Sequence, residues 1–286
     1  MKIFSARRRT VPATLAVTTI AVTALVATGA QSGAVTAGHP HAPSPSGKPK
    51  PTVVLVHGAW AGTSSWDGEV KLLRAAGYPV RSIANPLLNL TTDAQTVQGF
   101  LKSIKGPIVL VGHSYGGSVI TNAANGVSNV KALVYVDAAA PAVGETTGQL
   151  SGKTSALSGS PSALYDMVSY PGAPANASNL YLKENVFLDK FASSVPRDQA
   201  VNLWATQRAA TTVAFNTPSK YEAWKTIPSW YFISSGDQII TPESEHMMAK
   251  RAGSKVTDYK GGSHLTLVSD PAAVTKTITQ AANSVK

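Results

Sequence analysis

Apolar residues along this chain fall into two rhythms. Continuous, β-branched runs occupy residues 52–56 (Thr52-Val53-Val54-Leu55-Val56), 107–111, 130–136 and 230–234, with more polar ones at 79–83 and 255–259. An unbroken apolar run of this length suits a strand covered on both faces. Between the runs the spacing becomes helical. Ser64 with Asp67 marks a helix start, with Val70 and Leu73 behind it. Thr92 with Gln95 forms a capping box before Ala94, Val97, Leu101 and Ile104. Thr241-Pro242 and Asp270-Pro271 each place proline at a first helical position, the second before Val274 and Ile278. Strand alternating with helix predicts an α/β fold: an open, mostly parallel, doubly wound sheet with helices on both faces.

The alternation breaks over about 138–226. That stretch has Ser/Gly-rich loops, the aromatics Tyr165, Tyr181, Phe187, Phe191 and Trp204, and a helical segment near 201–207. It is expected to be an inserted, mainly helical cap over the carboxyl ends of the strands. Residues 1–30, with a basic start, an apolar stretch over 11–26 and small residues after it, have the form of a secretory signal peptide. Cleavage after Ala30 or Ala34 fits equally well. Arg8-Arg9 faintly resembles a twin-arginine signal, but Pro12 and the flanks favour the general secretory route. Thr18, Thr19 and Thr23 argue against a permanent span, so no membrane span is expected in the mature protein. Residues 31–51, rich in Gly, Pro, Ser and Ala, are expected to be a flexible linker, and 52–286 the folded domain. Secretion is the expected location.

The chemistry sits where a run stops. After 107–111 comes Gly112-His113-Ser114-Tyr115-Gly116-Gly117, the G-x-S-x-G pattern between a strand and a helix. The sharp turn this pattern makes lifts the serine hydroxyl clear of the sheet, beside a helix N-terminus that favours developing negative charge. Serine needs a base within hydrogen-bond reach. Of the six histidines, His39 and His41 lie in the linker, His113 points away from Ser114, and His246 falls mid-helix. His57 belongs to the turn after the first strand and is expected to hold it. His264, in the loop after the last strand, is the candidate base. Its orienting carboxylate is Asp237, after the second-last strand, with Asp137 as the rival. Oxyanion donors are expected from the backbone N–H of Tyr115 and from Ala59, with Trp60 as second choice. Trp60, Tyr115 and Trp204 are candidate pocket walls.

Composition narrows partners more than it chooses chemistry. The chain has 286 residues and no cysteine, which excludes disulfides and thiolate chemistry. The formal charge of +10 falls to +6 without the leader, which holds Lys2, Arg7, Arg8 and Arg9 and no acid. The other cations are scattered, so no nucleic-acid partner is expected. The histidines are too dispersed for a recognisable metal site.

From Val53 onward the chain resembles the α/β-hydrolases, and among them plant methylesterases, hydroxynitrile lyases and bacterial small-ester hydrolases. The resemblance rests on His57-Gly58-Ala59-Trp60, Gly112–Gly117, Asp237 with Ile240 and Pro242, and His264. It covers the catalytic core and hardly touches the cap. It implies an α/β-hydrolase fold, a Ser114–His264–Asp237 triad and no metal or organic cofactor. The lyases of this branch carry lysine after the catalytic histidine and threonine after the first-strand histidine. Leu265 and Gly58 stand here, which argues against cyanohydrin cleavage. The expectation is a secreted, monomeric serine carboxylesterase for small to medium, largely apolar esters. A cofactor-free perhydrolase or haloperoxidase-like enzyme, and a non-catalytic ligand-binding relative, are the alternatives.

Overall fold

The computed structural model describes residues 49–285, so the expected leader and almost all of the expected linker lie outside the described residues. The described chain begins the sheet at once with β1 (Thr52–Val56), followed by β2 (Val80–Ile83), β3 (Ile108–Ser114) and β4 (Val130–Ala138). After the cap come β8 (Ser229–Ser234) and β9 (Lys255–Tyr259). Six strands pair in the order β2-β1-β3-β4-β8-β9, every neighbouring pair parallel. Burial explains their composition. β3 and β8 are buried at every residue and β1 and β4 at all but one, whereas the edge strands β2 and β9 are half exposed and carry polar residues.

Helices α1 (Asp67–Ala75), α2 (Leu90–Ser103), α3 (Tyr115–Ala123) and α5 (Pro242–Ala252) connect the strands, α4 (Arg197–Ala205) belongs to the cap, and α6 (Pro271–Ser284) follows the last strand. Thr241 and Asp270 cap α5 and α6 by accepting from Ser244 N–H and Ala273 N–H, as their sequence context predicts. Helix α2 starts earlier than the Thr92–Gln95 box suggests. Its cap is Asn89, whose side chain accepts from Thr92 N–H, and this lets Leu90 join the buried face.

The chain leaves β1 for β2 on one side and returns to β3 on the other. A crevice therefore opens beyond the carboxyl ends of β1 and β3, where open α/β sheets bind ligands. The cap, residues 138–226, enters from β4 and leaves into β8. It carries short helices, as expected, but also an unexpected three-stranded antiparallel sheet of β5 (Tyr165–Val168), β6 (Asn179–Leu182) and β7 (Ala210–Thr211). The cap is tied down next to the crevice, because Thr211 N–H donates to Leu87 O (3.0 Å) and Trp60 N–H to Arg208 O (3.0 Å). Among the described residues no helix is long and apolar enough to cross a membrane.

Candidate active site

Ser114 ends β3 with φ +54° and ψ −126°, a conformation few side-chain-bearing residues adopt. The turn is possible because its neighbours have no side chains in the way. A Cβ on Gly116 would stand 2.4 Å from Val56 O, and one on Gly58 would stand 2.5 Å from Ser114 Cβ. The missing atoms let the turn after β1 press directly against the serine. Trp60 (φ +56°), in the turn after β1, and Asp137 (φ +44°), the second-last residue of β4, share the positive φ.

His264 reaches this point from the loop after β9. Its Nε2 lies 2.7 Å from Ser114 Oγ and its Nδ1 2.6 Å from Asp237 Oδ2. A carboxylate only accepts, so Nδ1 carries the proton and Nε2 is free to accept from the serine hydroxyl. Asp237 is itself aligned, its Oδ1 accepting from Ile239 N–H (2.7 Å) and Ile240 N–H (3.2 Å). His264 carbonyl accepts from His113 Nε2–H (2.8 Å), which ties the histidine loop to the strand that bears Ser114. All three residues are buried, with Ser114 5 % exposed.

Asp137, the rival acid, points elsewhere. Its carboxylate accepts from Ser234 N–H (2.7 Å) and Ser234 Oγ–H (3.0 Å). Asp137, Asp237 and Glu245 of α5 form a buried trio whose carboxylate oxygens lie within 4.8 Å of one another. Three buried carboxyls so close cannot all ionise. Asp237 accepts three N–H groups, and Glu245 has no hydrogen-bond partner for either oxygen. Burial pushes all three carboxyls up, Asp237 included, but on Asp237 the Ile239 and Ile240 N–H groups oppose that shift, whereas on Glu245 its acidic neighbours add to it, so of the three Asp237 is the best held as an anion.

Ala59 N–H and Tyr115 N–H have no hydrogen-bond partner recorded among the described turn, cap and side-chain contacts. Both flank the Gly58–Ser114 contact, which suits a pair of oxyanion donors. Trp60 N–H is already used by Arg208 O. The Trp60 ring, in contrast, does line the cavity at Ser114. That cavity is about 190 Å³, with Trp60, Tyr165, Phe215 and Ile239 on its apolar walls and Thr147, Ser151, Thr212 and Asn216 on its polar ones. The side chains of Tyr115 and Trp204 are not part of it. Tyr115 turns inward and its hydroxyl donates to Asp93 (2.8 Å), while Trp204 Nε1–H donates to Leu182 O (3.1 Å) on the cap sheet. Tyr165, one of the cap aromatics singled out by the sequence, does line the cavity, whereas Phe215 and Leu157 carry no sequence signal because an aromatic or leucine in an irregular segment has no periodicity to give its direction.

Burial alone pushes the His264 imidazole down to about 3 from its ordinary 6.5, and the Asp237 carboxylate 2.6 Å from Nδ1 works against that shift. The neutral ring is the form that accepts the serine proton, so a lowered value extends activity toward acid. The acid limb of kcat/KM should therefore fall below pH 6.5. A pH–rate profile with half-maximal activity above pH 7 would contradict this.

Comparison with known proteins gives consistent relatives. A model of the "Alpha/beta hydrolase family" matches residues 53–277. The chain is similar to "Alpha/beta hydrolase nvfD" of Aspergillus novofumigatus, 28 % identical over 255 residues, covering 82 % of this chain and 97 % of that protein. It is also similar to a "Carbendazim hydrolyzing esterase" of Nocardioides sp., 33 % identical over 106 residues, covering 32 % of this chain but only 44 % of that esterase. Among solved structures it resembles polyneuridine aldehyde esterase, with a TM-score of 0.68 and 18 % identity over 81 % of this chain and 98 % of that one.

Proposed function

The chain belongs to the alpha/beta hydrolase family, and we propose that it is a secreted serine carboxylesterase for small to medium, largely apolar esters. The observation that carries this reading is the unbroken Ser114–His264–Asp237 hydrogen-bond chain, with Ser114 lining a cavity that has apolar walls at Trp60, Phe215 and Ile239. Ser114 Oγ attacks the ester carbonyl as His264 Nε2 takes its proton. The N–H groups of Ala59 and Tyr115 hold the oxyanion, and His264 then passes the proton to the leaving alcohol. Water, activated by the same imidazole, releases the acid from the acyl-enzyme. Asp237 holds the ring's tautomer and stabilises its charged form. Secretion is supported by the signal-like leader, and the esterase chemistry agrees with the names its relatives bear.

The cavity gives the substrate a size. At about 190 Å³ it is smaller than the ~300–1,000 Å³ sites that take drug-sized ligands. Each methylene buried there adds about 0.8 kcal/mol until the space is full. With p-nitrophenyl esters from acetyl to palmitoyl, kcat/KM should rise over the first few acyl carbons and then flatten or fall. Phe215→Ala, which enlarges the cavity, should move the optimum to longer chains, whereas Trp204→Ala should leave it in place. A rate still climbing at palmitoyl would point to a lipase and reject the small-ester reading. Turnover of peroxide with acetate, faster than ester hydrolysis, would favour the perhydrolase alternative.

A further inference from the structure

A second cavity, about 220 Å³, is lined by the turn after β1 from Trp60 to Ser65. Trp60 lines both cavities, and Leu265, the residue after the triad histidine, lines the second. Unlike the cavity at Ser114, it contains a cation. Arg208 of the cap lines it, along with the hydroxyl-bearing Thr63, Ser64 and Thr206.

The surroundings of that guanidinium are unusual. Half-buried, Arg208 forms no ion pair with any carboxylate among the described residues. Its one hydrogen bond runs from Nη1 to His57 Nε2 (3.0 Å). His57 Nδ1–H donates to Gly58 O (2.8 Å), so Nε2 is an acceptor, and it also accepts from Asn85 N–H (3.0 Å). Burial, with the Arg208 charge adding to it, pushes His57 down to about 4, so the ring is neutral near neutral pH. The protein thus fixes one edge of the guanidinium with a neutral acceptor and supplies no counter-charge. An arginine fork oriented in this way, with hydroxyls beside it, matches the geometry of a carboxylate.

We infer that Arg208 forms a carboxylate-binding subsite beside the triad, so that the preferred substrates are esters carrying a free carboxylate, as in hemiesters of dicarboxylic acids. This rests on the esterase reading and adds the charge of the substrate to it. The cavity at Ser114, which holds no charged side chain, and the one lined by Arg208 would then receive different parts of the same molecule. Both are anchored to one turn, since Arg208 O accepts from Trp60 N–H and Gly58 touches Ser114.

The test separates binding from turnover. In the full-length Ser114→Ala protein, calorimetric titration with the monoethyl esters of succinate, adipate and suberate is compared with the matching diethyl esters. The best hemiester should bind about tenfold or more tightly than its diester, a preference set by one charge-assisted contact. Arg208→Gln, whose amide can still donate to His57, should erase that preference, and Arg208→Lys should restore part of it. Equal affinity for hemiester and diester, or a preference that survives Arg208→Gln, would overturn the inference. Arg208-dependent binding of free acetate with no hemiester preference would also overturn it, since the site would then be separate from the substrate. These readouts use a protein without its nucleophile. If the esterase reading fails, the failure appears instead as undiminished turnover by Ser114→Ala.

Discussion

Replacing Ser114 with alanine should lower kcat/KM for every ester the protein cleaves by about 10⁴-fold or more, while the fold stays intact. The size follows from the chemistry. Without Oγ there is no acyl-enzyme, and only the oxyanion donors and substrate positioning remain to help water attack directly. The small structural effect follows from the contacts. Ser114 Oγ has a single hydrogen bond, to His264 Nε2, and alanine meets the same positive φ that serine already tolerates. The His264 acceptor is left unpaired in a buried site, a cost of about 1–3 kcal/mol, unless water fills the space. Thermal unfolding should therefore still be cooperative, and a fluorophosphonate that labels the parent protein should leave the variant unmarked. Activity within tenfold of the parent, or labelling that persists, would place the nucleophile elsewhere. Retained tight ester binding by a parent protein that never turns substrate over would instead support the non-catalytic alternative.

What could be read in the sequence, and what could not, divides along a physical line. The strands with both faces covered leave a continuous apolar signature, so β1, β3, β4 and β8 were visible as runs. The serine turn was visible because its backbone path requires glycines at fixed offsets, as the 2.4 Å approach of Gly116 to Val56 O illustrates. The cap hid its sheet. β5, β6 and β7 hold four, four and two residues, too short for a period to emerge, and Met167, Val168 and Tyr181 are exposed, so the pattern of apolar residues misleads. Trp204 is a candidate pocket wall by its place in a cap over the strand ends, yet its indole N–H donates to Leu182 O on the cap sheet. The contact of Arg208 with His57 joins residues 151 positions apart, and no local rule could announce it. The same holds for Trp60, whose backbone N–H is taken by a cap carbonyl while its ring lines both cavities.

The second large effect separates the two strand-end aspartates. Asp237→Asn should cost about 10³–10⁴-fold in kcat, and Asp137→Asn less than about tenfold. Both are buried at the carboxyl end of a strand, Asp137 next to last in β4 and Asp237 just after β8, so location hardly distinguishes them, but their partners do. Asp237 Oδ2 lies 2.6 Å from His264 Nδ1, and Oδ1 is held by two backbone N–H groups. In the asparagine variant the carbonyl oxygen stays with Ile239 and Ile240, which places the amide NH₂ against the imidazole. That nitrogen can only donate, so Nδ1 must become the acceptor and the proton moves to Nε2, where it blocks the attack of Ser114. Positive charge developing on the ring also loses its carboxylate. Asp137, by contrast, accepts from Ser234 N–H and Oγ–H and does not touch His264. An asparagine there keeps the backbone acceptor, can donate to Ser234 Oγ, and removes one ionisable group from a crowded trio of acids. Comparing kcat for the two variants, with circular dichroism to confirm folding, decides the assignment. If Asp137→Asn is the more damaging change in a folded protein, then the acid of the triad is Asp137 and the geometry around Asp237 is structural.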